Sequence, residues 1–261
     1  GFLPAFDPRV QGTLHAIERE LTVDGLVMRY QPTGTLDGLP GEEGMFLPCS
    51  FWLVDNLLPL LEALPKDAIS FNGEDFGRTG DLSVHVPLIQ LQNLVRRVPF
   101  ILELRNVPFR QQEQICFFLL DRLPRFMGGA FDARGNGQFL AEVAMQRYGA
   151  SRIQQVMLSE GWYREHMPPV KAALEDGTLQ DLPQDADVLA DLRAVQIVRG
   201  VPRIPDGRTE GADKGKRHGD AAVAVALAYF ASREINLGPV KASSRKRKAS
   251  NSIGGINMNG Y

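Results

Sequence analysis

Only two cysteines occur in the 261 residues, Cys49 and Cys116, set in the apolar contexts "FLPCSFW" and "QICFFLL". Two thiols so far apart exclude a disulfide scaffold or a cysteine-rich metal knuckle, and are expected to be buried and reduced. No apolar run is long enough to cross a bilayer. No basic segment followed by an apolar one stands at the N-terminus, so neither a leader nor a membrane partner is expected and a cytoplasmic setting follows. A surplus of charge is missing too: the net charge is −2, and the chain as a whole carries no electrostatic signature of nucleic-acid binding. There is no G-x-x-x-x-G-K-[ST] phosphate loop, since "GRTG" and "GADKGKRHG" lack its spacing and its apolar strand. No internal repeat is visible.

What is present suits a soluble globular protein. Hydrophobic residues make up 44% and charged residues 23%, enough for one large domain or two smaller ones. Residues 1–64 read as a helical segment. Asp7-Pro8 starts a helix on which Leu14, Ile17 and Leu21 recur at helical spacing. A short strand, a Gly- and Pro-rich loop and the helix "MFLPCSFWLVDNLLPLLEALP" follow, ending at Pro65. Residues 67–233 change rhythm. "AISFNGEDFG", "DLSVHVPLI" and "PFILELRNV" predict three strands, the latter two antiparallel to the first. Then come the helix "FRQQEQICFFLLDRLP", the strand "FMGGAFDA", the helix "GQFLAEVAMQRYG" and the strand "RIQQVMLS". "GWYREHMPPVKAALEDGT" predicts a helix interrupted at Pro168-Pro169, "ADVLADLRAVQIVRG" a helix running into a strand, and "GDAAVAVALAYFASR" a helix starting at Asp220. The expected class is α/β, a mixed sheet with helices on both faces. Residues 234–261, including the basic run "KASSRKRKAS", predict a disordered tail.

Three aspartates share one kind of position. Asp75 and Asp132 end strands, and Asp220 opens the last helix. Acids gathered at one sheet edge repel each other unless a divalent cation lies among them. Oxygen donors suit magnesium or manganese, and two such ions about 4 Å apart can promote phosphodiester hydrolysis. Each acid also has a plainer reading: a helix cap for Asp220, and turn hydrogen bonds for Asp132 and Asp75. Asp81, close to Asp75, is read as the start of the second strand.

The segments "DFGRTGDLSVHVPL", "LELRNVPFRQQEQICFFLLDRLP", "FDARGNGQFLAEVAMQRYG", "VMLSEGWYREHMPPVKAALEDGT" and "KRHGDAAVAVALAYFASR" resemble the nuclease domain of the terminase large subunit of Mu-like phages and prophages. The resemblance implies an RNase H-like fold and metal-dependent cutting of double-stranded DNA during packaging in a bacterial host. It also implies two ions, magnesium or manganese, held by Asp75, Asp132 and Asp220. An ATPase motor, a small subunit and a portal are the partners it implies, and the motor's phosphate loop is not found in this chain. A non-catalytic module docking such a partner is the alternative.

Arg134, Asn136, Lys216, Arg217 and His218 are candidates for DNA contact, the first two from the loop after Asp132 and the others from a basic loop that also holds Arg208 and Lys214. Structural roles for the same residues stay open. Trp162, Tyr163, Arg164 and His166 either face DNA or pack around the helix. Residues 1–60 resemble a fragment of a glucoamylase-like glycoside hydrolase, which offers a carbohydrate-active fragment as a further alternative. Glu42 and Glu43 in "GEEG" are adjacent, whereas paired sugar-cleaving acids stand roughly 5 to 10 Å apart across the substrate, so both are read as loop residues.

Overall fold

The computed structural model describes residues 7–23, 26–27, 57–77, 82–205, 207–212 and 215–235. The expectations for Glu42, Glu43, Cys49, Asp81, Lys214 and the basic tail lie outside those residues. Helix α1 (Pro8–Leu21) is followed by a hairpin of β1 (Thr22–Val23) and β2 (Leu26–Val27). As the sequence predicts, Asp7 caps α1: its Oδ1 accepts from the Arg9 amide at 2.9 Å.

The larger unit is built on a seven-stranded mixed sheet. Its strands are β3 (Ile69–Asp75), β4 (Leu82–Gln90), β5 (Arg96–Arg97), β6 (Leu102–Arg105), β7 (Phe126–Asp132), β8 (Ile153–Val156) and β9 (Leu179–Gln180). The order is β8-β7-β3-β4-β5-β9, with β6 also paired to β4. β4 runs antiparallel to β3 in continuous register from Ile69↔Gln90 to Asp75↔Val84, whereas β7 and β8 run parallel to β3. A three-stranded meander extended on its first strand by parallel strands is the RNase H-like arrangement. The third predicted strand differs in one respect. β6 pairs with β4 and not with β3, so it runs parallel to β3.

Helices cover both faces. α2 (Phe109–Arg122) and α3 (Gly137–Tyr148) share one core with Phe131 and Ile89. α4 (Glu160–Glu175), α5 (Ala186–Arg193) and α6 (Asp220–Glu234) share the other with Phe71, Val84 and Ala130. Cys116 is a buried free thiol in the first of these cores, as its apolar context predicts. The alternation of β3 decides who faces what: Phe71, Gly73 and Asp75 lie on the α6 side, Asn72 and Glu74 on the other.

α4 does not break at Pro168-Pro169. Each proline forgoes one backbone hydrogen bond, but Met167, Val170 and Ala173 bury the helix face around them and hold it in the core. Two further hairpins lie outside the main sheet. The strand predicted at the end of "ADVLADLRAVQIVRG" is β10 (Gln196–Val198), which pairs with β11 (Val201–Arg203), while β12 (Thr209–Glu210) pairs with β13 (Lys216–Arg217); the last three showed no strand pattern. The predicted basic loop thus contains paired strands. Among the described residues no helix is long and apolar enough to cross a membrane.

Candidate active site

Parallel pairing makes β3 and β7 finish at the same edge. Glu74 sits opposite Phe131, so Asp75 and Asp132 follow side by side as each chain leaves the sheet. Both point to the face covered by α6, whose first residue is Asp220. That helix lies close against β3 because the contact is made by small residues. A methyl on Gly73 would overlap the Ala224 carbonyl and the Ala228 amide. Gly219, at φ 72°, turns the chain into α6 through left-handed backbone that glycine adopts without strain.

The three aspartates are 8%, 5% and 7% exposed, respectively, and line one cavity of about 480 Å3. Arg134, Tyr163, Arg203, Arg208 and His218 share that lining. Burial pushes the Asp75 carboxyl well above the ordinary range, and the Asp220 and Asp132 charges push it the same way. Burial also raises Asp132, against the pull of Arg134. The Arg134 amide and Nε donate to Asp132 Oδ1 at 3.0 and 3.2 Å, and its Nη1 donates to the Leu158 carbonyl at 3.2 Å. The His218 amide donates to Asp220 Oδ2 at 3.0 Å. Burial pushes the Tyr163 phenol up to about 12, so it stays a neutral hydrogen-bonding group beside Arg134.

The donor set is chemically suited to a hard divalent cation: three buried carboxylates, mutually repelling, on one cavity. As the side chains stand, no group of three His, Cys, Asp or Glu among the described residues is at metal-holding spacing. Arg134 occupies Asp132 in the meantime as the local counter-charge.

The other sequence-predicted residues separate into two groups. Arg134 and His218 line the cavity, Asn136 lines the neighbouring groove, and Lys216 is exposed on β13. Arg217 corrects the expectation of a DNA contact. It is 3% exposed, and its guanidinium donates to Glu103 at 2.6 and 2.7 Å and to Asp191 at 2.7 and 3.3 Å. Burial works against its charge, but those hydrogen bonds hold its pKa above the usual value. Asp191 Oδ2 also accepts from the Ala221 amide at 3.1 Å and so caps α6, which has no N-cap side chain of its own. Glu103, Asp191 and Arg203 carried no sequence signal, since each lies in an unremarkable strand or helix and meets its partner only across the fold.

No family model matches the chain. Over 217 residues it is 42% identical to the Mu-like prophage FluMu protein gp28 of Haemophilus influenzae, covering 83% of this chain and 42% of that protein. Over 182 residues it is 46% identical to the probable terminase large subunit gp28 of Escherichia phage Mu, covering 69% of this chain and 33% of that one. The chain thus spans less than half the length of these curated relatives. A separate stretch of 61 residues, 23% of this chain and 9% of the other protein, is 59% identical to a trehalase of Mycolicibacterium smegmatis. Among solved structures, the large terminase nuclease of thermophilic phage G20c with bound magnesium overlays 63% of this chain and 82% of its own. The TM-score is 0.46 at 18% identity, too loose an overlay to bear on the site. The resemblance of the chain to Mu-like terminase large subunits rests on the first two of these comparisons.

Proposed function

We propose that residues 67–233 form the metal-dependent nuclease domain of a Mu-like DNA-packaging terminase, which hydrolyses phosphodiester bonds of double-stranded DNA in the cytoplasm of the host. The observation that carries the reading is the convergence of Asp75, Asp132 and Asp220 on one cavity, in a chain 46% identical to a probable terminase large subunit over 182 residues. Asp75, Asp132 and Asp220 would hold one or two magnesium or manganese ions. When bound, such ions activate water and offset charge on a phosphate in flight.

The chain's own groups have distinct tasks. Arg134 leaves Asp132 and meets a phosphate oxygen with the same guanidinium. Tyr163 stays protonated and donates a hydrogen bond at the cavity wall. Arg208 and His218, in the same lining, orient the DNA backbone without reading its sequence. A motor, a small subunit and a portal are the partners that a packaging role calls for.

A plasmid-nicking assay with manganese tests this. The full chain converts supercoiled plasmid to nicked and linear forms, EDTA stops it, and Asp132→Ala lowers the rate by at least about 100-fold, the scale of losing one stabiliser of transition-state charge, here an ion that Asp132 would hold. Cutting that persists in Asp132→Ala, or never appears with metal, overturns the proposal.

A further inference from the structure

Three phenylalanine rings lead from the wall of the acid cavity to the protein surface. Phe76 lines that cavity. Its ring stacks on Phe109 with centroids 5.4 Å apart and planes 9° apart. Phe109 in turn lies 5.7 Å from Phe139 at 59°. Phe109 and Phe139 line a second groove with Gly135, Asn136, Gln138 and Glu142. Phe139 is 44% exposed, so a large apolar side chain stands partly open to solvent in that groove. An aromatic kept in a groove beside a candidate site signals a binding surface more than a core.

We infer that this groove is a base-stacking subsite for an unpaired nucleotide next to the scissile phosphate. The inference rests on the nuclease reading above. Its charge favours a base over a phosphate, since among the described residues the lining contains the carboxylate of Glu142 and no cation. A neutral ring face is accepted by aromatic side chains whatever the base. The amides of Asn136 and Gln138 can each donate to and accept from a base edge. The loop from Asp132 to Gly137 divides the two cavities, with Arg134 on the acid side and Gly135 and Asn136 on the aromatic side. A strand crossing that loop places its phosphate by the acids and its base on Phe139. In a paired duplex the face of the base is covered by its neighbours, so the occupant is a frayed or single-stranded nucleotide. The substrate class that follows is DNA with unpaired bases at the cut, such as an opened end or a melted junction.

The test uses the full chain with calcium in place of magnesium and a short single-stranded DNA oligonucleotide carrying 2-aminopurine, whose fluorescence falls on stacking. The wild type binds and quenches it. Phe139→Ala weakens binding about 5- to 150-fold, the range of one base-aromatic stack, and removes the quench. Phe139→Leu, which keeps apolar bulk and hence the fold, also loses the quench, while Phe139→Trp retains it. A fully paired hairpin with the probe inside its stem shows no quench with any variant. Wild-type affinity and quench in both Phe139→Ala and Phe139→Leu overturn the subsite and leave the nuclease reading standing. An oligonucleotide that the wild type does not bind overturns the subsite as well, and the plasmid assay then reports separately on the nuclease.

Discussion

Asp75 is a carboxylate placed where its charge is least welcome: buried, and flanked by Asp132 and Asp220. Its raised pKa means that the folded chain holds this proton more tightly than the unfolded chain does. Above about pH 4 the unfolded form binds fewer protons, so this residue's contribution to stability falls as pH climbs through its folded value. Glu74, buried on the other face with neither oxygen hydrogen-bonded among the described residues, is shifted upward mainly by burial and acts in the same direction. His85, buried and lowered to about 4, acts oppositely, losing stability as pH drops below about 6.5. The informative quantity is therefore the difference between wild type and Asp75→Asn in EDTA. Thermal melts followed by circular dichroism are expected to show the variant gaining on the wild type as pH rises from about 4 to 8. A difference that stays flat across that range would mean Asp75 titrates normally.

The geometry of the acids depends on how β3 and α6 meet. Alanines on α6 and Gly73 on β3 let the two backbones come into direct contact, and this sets the distance from Asp75 at the strand end to Asp220 at the helix start. Gly73→Ala puts a methyl against backbone atoms, which cannot rotate out of the way. Overpacking of this kind costs about 1–3 kcal/mol and occasionally more. Urea unfolding of Gly73→Ala is expected to show a loss at the upper end of that range, with cutting reduced further because the helix must move away from the strand. An unchanged midpoint would show that the contact has slack. The run "DAAVAVALAYFASR" announced a buried helix, but Gly73 read only as one glycine inside a strand, because a close approach depends on the partner that arrives more than 140 residues later.

Across the molecule, Arg217 joins four parts of the fold. It binds Glu103 on β6 and Asp191 on α5, stands two residues before His218's neighbour Gly219, and through Asp191 reaches the Ala221 amide in the first turn of α6. A guanidinium buried among carboxylates is costly to lose, because the acids left behind have no counter-charge. Arg217→Met is expected to destabilise the protein by about 3–5 kcal/mol in urea unfolding. A loss below about 1 kcal/mol would reassign Arg217 to a merely surface-like role. If the network positions Asp220, a milder Asp191→Asn variant that still folds will cut more slowly as well, since the cap on Ala221 weakens.

The sequence by itself determined the local conformations that set the acids at chain turns. Alternating apolar residues made β3 and β4, the short apolar run made β7, and an alanine-rich stretch after "HGD" made α6. Strand and helix periods are local properties, so these were legible. The resemblance in those same segments supplied the RNase H-like expectation. Only the tertiary structure decided that β7 lies parallel beside β3, and hence that Asp75 and Asp132 finish at one edge. It also turned Arg217 inward, ran α4 through two prolines and lined up Phe76, Phe109 and Phe139. Each of these outcomes depends on which surfaces meet, a free-energy balance over residues far apart in the chain, and no local pattern encodes it.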